Sequence, residues 1–143
     1  MIKHKTINIF TDGGSRGNPG PAASGVYITD TEGNEIAGFG KTLGITTNNV
    51  AEYTAVIEAL DWVYNNQDKL GERVKINFFM DSKLVCSQIM GLWKVKHVAM
   101  QRLLLVARQK MQKIPAEFSF THIPREQNKQ ADSYVNRALD NLL

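Results

Sequence analysis

The sequence has few of the residues that build thiolate or imidazole metal centres, since its 143 residues include one cysteine, Cys86, and three histidines. A single cysteine excludes an intrachain disulfide and a thiolate cluster, and it favours a reducing, cytoplasmic compartment.

Long apolar runs are also lacking. Residues 103–107 form one of the longest, far below the ~20 residues that a membrane-spanning helix needs, so we expect no membrane partner.

A nucleotide-phosphate loop is missing as well, although residues 11–20, TDGGSRGNPG, are rich in glycine. A P-loop requires the pattern G-x-x-x-x-G-K-[ST]. The sequence Gly-Lys-Thr does occur at residues 40–42, but Glu35 stands where the first glycine is needed, and Leu43 stands where a dinucleotide fingerprint needs its third glycine. Both nucleotide-binding interpretations are therefore excluded.

The formal net charge is +3, which is compatible with a nucleic-acid partner but also with many unrelated proteins. Basic residues gather at residues 93–97 and 108–113 and around Arg125 and Lys129. No internal repeat, low-complexity tract or linker divides the chain. We therefore expect a single domain over residues 1–143.

The hydrophobic pattern predicts three strands, a helix, a strand, two helices, a strand and a final helix. The first strand alternates apolar and polar residues from Ile7 onward, and a Gly-Asn turn joins the next two strands as a hairpin. This order indicates an α/β fold with a mixed sheet and helices on both faces. The elements after the first strand are predicted at residues 24–30, 36–44, 48–66, 74–80, 82–90, 98–113, 118–123 and 128–142. The continuous apolar run at 74–80 predicts a strand that is buried on both faces.

Two acidic residues follow predicted strands. Asp12 comes after the first strand and Asp81 after the apolar run INFFM. The carboxyl ends of neighbouring parallel strands line the ligand crevice of an open sheet, so we expect these two side chains to converge there. The alternative is that Asp12 belongs to a turn and that Asp81 caps the helix that follows it.

Two further acids lie in the first turns of predicted helices. Glu52 lies within about 40° of Val56, Ala59 and Val63 on the apolar stripe of its helix. Asp132 points close to the direction of Val135 in the last helix. A carboxylate on a buried stripe must be paired, protonated or bound to a cation, whereas a favourable interaction with the helix dipole explains only its position in the first turn.

Four acids of this kind, without a cysteine or histidine cluster, favour a hard divalent cation such as Mg²⁺ or Mn²⁺. Carboxylates crowded together repel one another, and a bound cation would keep them ionised near neutral pH.

Four segments, in order, resemble the motifs of ribonuclease H, type 1: TDGGSRGNPGPAASG, TTNNVAEYTAVIEAL, MDSKLVCSQIMG and HIPREQNKQADSYVNRAL. The resemblance extends from about Thr6 to Leu139, nearly the whole chain. It implies a five-stranded sheet in which strands 1–3 are antiparallel and strands 4 and 5 run parallel to strand 1. It also implies an endonuclease that hydrolyses the RNA strand of RNA–DNA hybrids and leaves 5′-phosphate and 3′-hydroxyl ends.

The resemblance also assigns the site residues. The family's divalent-metal ligands match Asp12, Glu52, Asp81 and Asp132, and two ions, expected to be Mg²⁺ with Mn²⁺ as a substitute, act during catalysis. Contacts to the RNA strand match Gly13, Gly14, Ser15 and Asn48, and contacts to the DNA strand or its phosphates match Asn18, Thr47 and Asn49. Ser82 and Lys83 complete the substrate contacts, with Lys83 standing where relatives often carry glutamine. Asn48 matches a reader of the ribose 2′-hydroxyl, and serving only as a helix cap is its alternative.

This chain departs from the family pattern in two places. His122 stands ten residues before Asp132, where relatives place a loop histidine that helps proton transfer or product release, but the sequence continues His-Ile-Pro-Arg rather than Gly-His-x-Gly-His. The alternative is that His122 only ends a strand and that Arg125 takes the electrostatic part.

The second departure is the absence, between Ser87 and Val98, of the basic helix and loop that many bacterial relatives insert. Trp93, Lys94 and Lys96 could supply a reduced substitute, with the indole ring stacking on the substrate and the lysines contacting phosphates. The alternative for Trp93 is packing against a neighbouring helix.

The leading hypothesis is a metal-dependent endonuclease that acts as a monomer on RNA–DNA hybrids, with double-stranded RNA as a side substrate. A non-catalytic hybrid- or duplex-binding module is the alternative from another class, and a lost carboxylate would favour it. A strand transferase or an exonuclease on the same fold would need extra domains or a different spacing of the acids.

Overall fold

The computed structural model describes residues 3–141, which form five strands and four helices. In chain order they are β1 (His4–Ser15), β2 (Gly20–Thr29), β3 (Glu35–Thr46), α1 (Asn48–Asn65), β4 (Leu70–Met80), α2 (Lys83–Ile89), α3 (Val98–Gln112), β5 (Ala116–His122) and α4 (Lys129–Leu139). The order confirms the prediction, and two short 3-10 turns at Gln67–Lys69 and Arg125–Gln127 are additional. No helix within residues 3–141 is long and apolar enough to cross a membrane.

The strands form one mixed sheet in the order β3-β2-β1-β4-β5. β1 pairs antiparallel with β2 and parallel with β4, β2 pairs antiparallel with β3, and β4 pairs parallel with β5. The predicted strand directions are therefore confirmed. Since β1 lies at the centre, with a parallel neighbour on one side, its carboxyl end lies beside that of β4.

The main core lies between one face of the sheet and helices α1, α2 and α3. The alternation of β1 buries Ile7 and Ile9, which pack with the apolar side of α1. β4 also alternates, because Ile76 and Phe78 are buried while Asn77 between them is only half-buried. The prediction that residues 74–80 are buried on both faces was therefore wrong, since α4 packs against β1, β2 and β3 rather than β4.

Helix α4 lies on the opposite face of the sheet, in a trough that lacks side chains at Gly25, Gly38 and Gly40. A Cβ atom on Gly25 would lie 2.2 Å from the carbonyl oxygen of Ala131, and one on Gly40 would lie 2.4 Å from that of Tyr134. Both distances are far below a van der Waals contact, so glycine sets how closely the helix approaches the sheet. The trough thereby fixes the height of α4 above β2.

We expect Gly25→Ala to lower the free energy of unfolding by about 1–3 kcal/mol, because an extra methyl group in a packed interface forces backbone shifts. Gly71→Ala is the matched control, since Gly71 also lies in a strand but a Cβ there would be 3.4 Å from its nearest neighbour, the carbonyl oxygen of His4. Urea unfolding of both variants measures the difference. Equal stability of the two would show that the trough does not set the helix position.

Candidate metal centre

Asp12 lies within β1 rather than after it, which corrects the predicted end of the strand. Antiparallel pairing with β2 continues through Asp12↔Gly25 to Ser15↔Ala22, so the first glycines belong to the ladder. The parallel pairing with β4 ends one residue earlier, at Thr11↔Met80. Asp12 and Asp81 therefore follow the last paired residues of two adjacent parallel strands, and they leave the sheet at the same edge.

Glu52 reaches this edge because α1 approaches β1 at Gly13. A Cβ atom on Gly13 would lie 2.3 Å from both the carbonyl carbon of Ala51 and the amide nitrogen of Glu52. The resemblance to the family implied that this glycine contacts the RNA strand. The structure shows a further reason for it, since any side chain would push away the helical turn that carries Glu52.

Three carboxylates meet at this point. Each of Asp12, Glu52 and Asp81 offers an oxygen, and these atoms all lie within 4.8 Å of one another. Asp12 and Glu52 are each 7% exposed. Asp132, in the first turn of α4, lines the same cavity of about 420 Å³. All four acids that the sequence singled out thus face one cavity.

Burial and mutual repulsion change how two of these groups ionise. Burial, followed by the charges of Asp81 and Asp132, raises the pKa of Asp12 to about 8. Burial, then the charges of Asp12 and Asp81, raises the pKa of Glu52 well above its usual value. Hydrogen bonding from the Gly13 backbone lowers the pKa of both groups, but it is outweighed. The site therefore holds its carboxylates ionised only at a considerable electrostatic cost.

The residues present fit a divalent cation. Within residues 3–141, no lysine or arginine forms an ion pair with any of the four carboxylates. The buried Oε2 atom of Glu52 also has no hydrogen-bond partner in this part of the chain. A set of carboxylate oxygens without nitrogen or sulfur donors is typical of Mg²⁺ and Mn²⁺ sites.

The rim of the cavity is tied to α1 through Asn48. Its Oδ1 atom accepts hydrogen bonds from the backbone nitrogen of Ser15, at 2.9 Å, and from Ser15 Oγ, at 2.7 Å. Its own backbone nitrogen donates to Asn18 Oδ1 at 3.1 Å. Thr47, rather than Asn48, is the N-cap of α1, because Thr47 Oγ1 accepts from the Val50 nitrogen. The interpretation of Asn48 as a helix cap was therefore wrong.

The capping alternative for Asp81 was also wrong. Ser82 is the N-cap of α2, and its Oγ atom accepts a hydrogen bond from the Val85 nitrogen at 3.2 Å. Asp81 is left free to turn toward the cavity. Ser82 lines the cavity beside it.

Asn128 is a further site residue, which is not among those predicted from the sequence. It occupies the N-cap position of α4, but its side chain makes no capping hydrogen bond. Its Nδ2 atom donates instead to the Thr11 carbonyl oxygen, at 2.9 Å, and to Asp81 Oδ2, at 3.2 Å. A signal for this role was hard to find in the sequence, since asparagine before a helix is common for capping alone.

The structure brings most of the predicted substrate contacts to the cavity. Its lining includes Gly13, Gly14, Ser15, Asn48, Asn49, Ser82 and Arg125, and it also includes Arg16, which the sequence analysis did not consider. Arg16 pairs with Asp140 at 2.7 Å and thereby joins the glycine-rich loop to the end of α4. Asn18 and Thr47 are not among the lining residues; Asn18 accepts the backbone N–H of Asn48, and Thr47 caps α1.

A second group of predicted contacts lies outside the cavity lining. Lys83, Trp93, Lys94 and Lys96 are exposed on α2 and on the segment between α2 and α3. The indole ring of Trp93 is 45% exposed, and the ammonium of Lys83 lies 5.8 Å from its centroid. This group forms a basic, aromatic surface beside the site.

His122 and Arg125 differ in their position. His122 is the last residue of β5, is exposed, and is not among the residues that line the cavity. Arg125, in the 3-10 turn that follows, does line it. The electrostatic alternative for Arg125 thus has a geometric basis in this structure.

Comparisons with known proteins agree with this arrangement. A family described as reverse transcriptase-like matches residues 10–138. A ribonuclease HI of Halobacterium salinarum is 37% identical over 94% of this chain and 64% of its own length. A bifunctional protein of Mycobacterium tuberculosis is 39% identical over 94% of this chain, which covers only 35% of that relative.

The matches to solved structures cover nearly the full length of both chains. The structure of LC11-RNase H1, isolated from compost by a metagenomic approach, matches with a TM-score of 0.88 and 45% identity, over 96% of this chain and 97% of that one. The same protein in complex with an RNA/DNA hybrid matches with a TM-score of 0.87. This likeness in sequence and fold over nearly the full length shows that the chain belongs to the type 1 ribonuclease H family.

Proposed function

We propose that this protein is a metal-dependent endonuclease that hydrolyses the RNA strand of RNA–DNA hybrids and leaves 5′-phosphate and 3′-hydroxyl ends. One observation carries the proposal: Asp12, Glu52 and Asp81 converge, with no ion-pair partner among residues 3–141, in a cavity whose rim presents hydrogen-bonding groups. The complex of the LC11 relative with an RNA/DNA hybrid supports the choice of substrate.

Asp12, Glu52, Asp81 and Asp132 would hold two divalent ions, and we propose Mg²⁺ as the physiological one, with Mn²⁺ as a substitute. Bound ions would supply Lewis-acid chemistry, which favours attack of water on the phosphodiester and stabilises the charge on the leaving oxygen. The chain itself sets where that chemistry happens, because β1, β4 and the two helices hold the ligands to one point. Arg125 would attract the substrate phosphate, and His122 would assist proton transfer.

The contacts of Asn48 support recognition of ribose. A backbone N–H can only donate, so the atom that faces the Ser15 nitrogen must be Oδ1, and the orientation of the amide is fixed. Because Oδ1 is engaged by Ser15, Nδ2 remains available as a donor. The Ser15 hydroxyl donates its own proton to Oδ1 and keeps free lone pairs. One donor and one acceptor side by side match a 2′-hydroxyl, which distinguishes RNA from DNA.

The remaining contacts would hold the two strands. Gly13 and Gly14 would follow the RNA strand, while Asn18, Thr47 and Asn49 would contact the DNA strand or its phosphates. Ser82, Lys83, Trp93, Lys94 and Lys96 would extend the contact along the duplex through phosphates and a stacked ring. This surface would take the place of the longer basic insertion of bacterial relatives.

We further propose that residues 1–143 act as one domain and as a monomer, since all four carboxylates come from one chain. A cytoplasmic location suits the single cysteine, and double-stranded RNA would be a poorer substrate.

The proposal is tested by incubating the protein with a labelled RNA–DNA hybrid and Mg²⁺ or Mn²⁺, beside single-stranded RNA, double-stranded RNA and EDTA controls. We expect cleavage of the hybrid RNA strand that EDTA abolishes. Binding of the hybrid without cleavage under any metal condition would instead indicate the non-catalytic hybrid-binding module.

We expect Asp12→Asn to abolish cleavage and to stabilise the metal-free protein by up to roughly 4 kcal/mol at pH 7, because asparagine is neutral without having to hold a proton that the unfolded chain would release. The pKa of Asp12 is raised from 3.8 to about 8, so the folded state keeps a proton that the unfolded state loses. The stability of the metal-free wild type should therefore fall as the pH rises from about 4 to about 8, and the gain in the variant should vanish near pH 4.

Thermal unfolding in EDTA across this pH range measures the gain, and Asp68→Asn is the control because Asp68 is exposed and far from the site. Full cleavage by Asp12→Asn would refute the ligand assignment. A stability gain of the same size in both variants would refute the electrostatic reason.

We expect Asn48→Asp to weaken ribose recognition, because it removes the Nδ2 donor while an oxygen remains to accept from Ser15. In the wild type, a single 2′-deoxy nucleotide at the recognised position should lower kcat/KM about fivefold to tenfold, which corresponds to one hydrogen bond of ~1 kcal/mol. In Asn48→Asp that penalty should largely disappear. Asn49→Asp adds the same charge to the same cavity and should retain the penalty. An unchanged penalty in Asn48→Asp would exclude Asn48 as the reader.

A further inference from the structure

Asn128 connects the elements that carry three of the four carboxylates. Its side-chain nitrogen contacts the Thr11 carbonyl, one residue before Asp12, and a carboxylate oxygen of Asp81. Its backbone carbonyl accepts the amide N–H of Asp132 at 3.1 Å. At 1% exposure, Asn128 is buried, so these contacts are shielded from water.

The orientation of the Asn128 amide follows from its partners. The Thr11 carbonyl oxygen can only accept, so the atom facing it must be Nδ2. Nδ2 carries two hydrogens, which is enough to serve both Thr11 and Asp81 at the same time. Asp81 Oδ2 therefore receives a hydrogen bond from a neutral donor.

Helix capping and stability do not explain this arrangement. The side chain makes no capping hydrogen bond to α4. Its Oδ1 atom is buried without a hydrogen-bond partner in the described part of the chain, and an unpaired buried acceptor lowers stability. The side chain is therefore better explained by what its nitrogen does, which is to join the end of β1 at Thr11 to the carboxylate of Asp81.

We propose that Asn128 is a positioning residue that holds Asp81 in the orientation that binds the cation, an inference that rests on the proposed metal-dependent function. A hydrogen bond to Oδ2 fixes the rotation of the carboxylate and leaves Oδ1 for a metal ion. Since the amide is neutral, it orients the carboxylate without neutralising it. A lysine at this place would compete with the cation that the site is built to hold. Partners behind a metal ligand commonly tune affinity in this way.

The test measures metal binding without substrate. Mg²⁺ and Mn²⁺ are titrated calorimetrically into the wild type, Asn128→Ala and Asn128→Ser, and the melting temperature of each is recorded. We expect Asn128→Ala to weaken the binding of both ions about tenfold, within the range seen for such partners. Asn128→Ser retains a short donor and should fall between the two, and it also serves if the alanine variant does not fold.

Asn77→Ala is the matched control. Asn77 also donates a side-chain hydrogen bond, to Asn8 Oδ1 at 3.1 Å, but it lies on β4 away from the cavity. This variant should lose stability while keeping the wild-type metal affinity. The NMR signal of the Asp81 carboxyl carbon gives a second readout, since it should shift in Asn128→Ala and not in Asn77→Ala.

Wild-type metal affinity in a folded Asn128 variant, with only a lower melting temperature, would overturn the inference and leave Asn128 a structural residue. Failure of the wild type itself to bind either ion or to cleave the hybrid would instead contradict the proposed function. The two failures are distinguished because the first concerns only the variants.

Discussion

The repulsion among carboxylates at the carboxyl ends of two parallel strands is the constraint on which the rest of this structure depends. Asp12 and Glu52 are buried; burial and the charges of Asp81 and Asp132 raise the pKa of Asp12, and burial and the charges of Asp12 and Asp81 raise that of Glu52. Left alone, such groups would separate, take up protons or turn to solvent. They stay together because each one is attached to a different rigid element, and these elements are locked by contacts on both faces of the sheet.

These contacts depend on glycines, because a residue without a side chain allows the backbones of helix and strand to approach closely. Gly13 lets the backbone of α1 approach β1, and Gly25 lets α4 lie close to β2. Because the two helices lie on opposite faces, Glu52 and Asp132 approach the strand ends from opposite sides. The hydrophobic core supplies the stability that offsets the repulsion. The glycines set how closely the helices approach the sheet, and therefore how close the carboxylates lie to one another.

The sequence predicted the positions of the carboxylates better than it predicted the contacts that hold those carboxylates in place. The helical stripe placed Glu52 on the buried face, and the strand ends placed Asp12 and Asp81 at one edge, because both rules depend on local periodicity. Asn128 and Gly25 could not be interpreted in this way. Their roles arise from atoms more than a hundred residues away in the chain, Thr11 in one case and Ala131 in the other, and no local pattern records such contacts. The interpretation of Asn48 as a cap failed for a similar reason, since the sequence could not show that Thr47 would cap the helix instead.

Around the cavity, neutral groups contact the carboxylates, and positively charged groups lie further out. Neutral groups donate hydrogen bonds to the carboxylates, namely the Asn128 and Asn136 amides and the Gly13 backbone, whereas the cations Arg16 and Arg125 stand at the lining. Arg16 is held there by Asp140 rather than by one of the four carboxylates. A permanent cation among the acids would remove the need for metal, while the two arginines at the lining would attract a phosphate backbone. Negative charge at the floor thus suits the proposed metal ion, and positive charge at the lining suits the proposed polyanionic substrate.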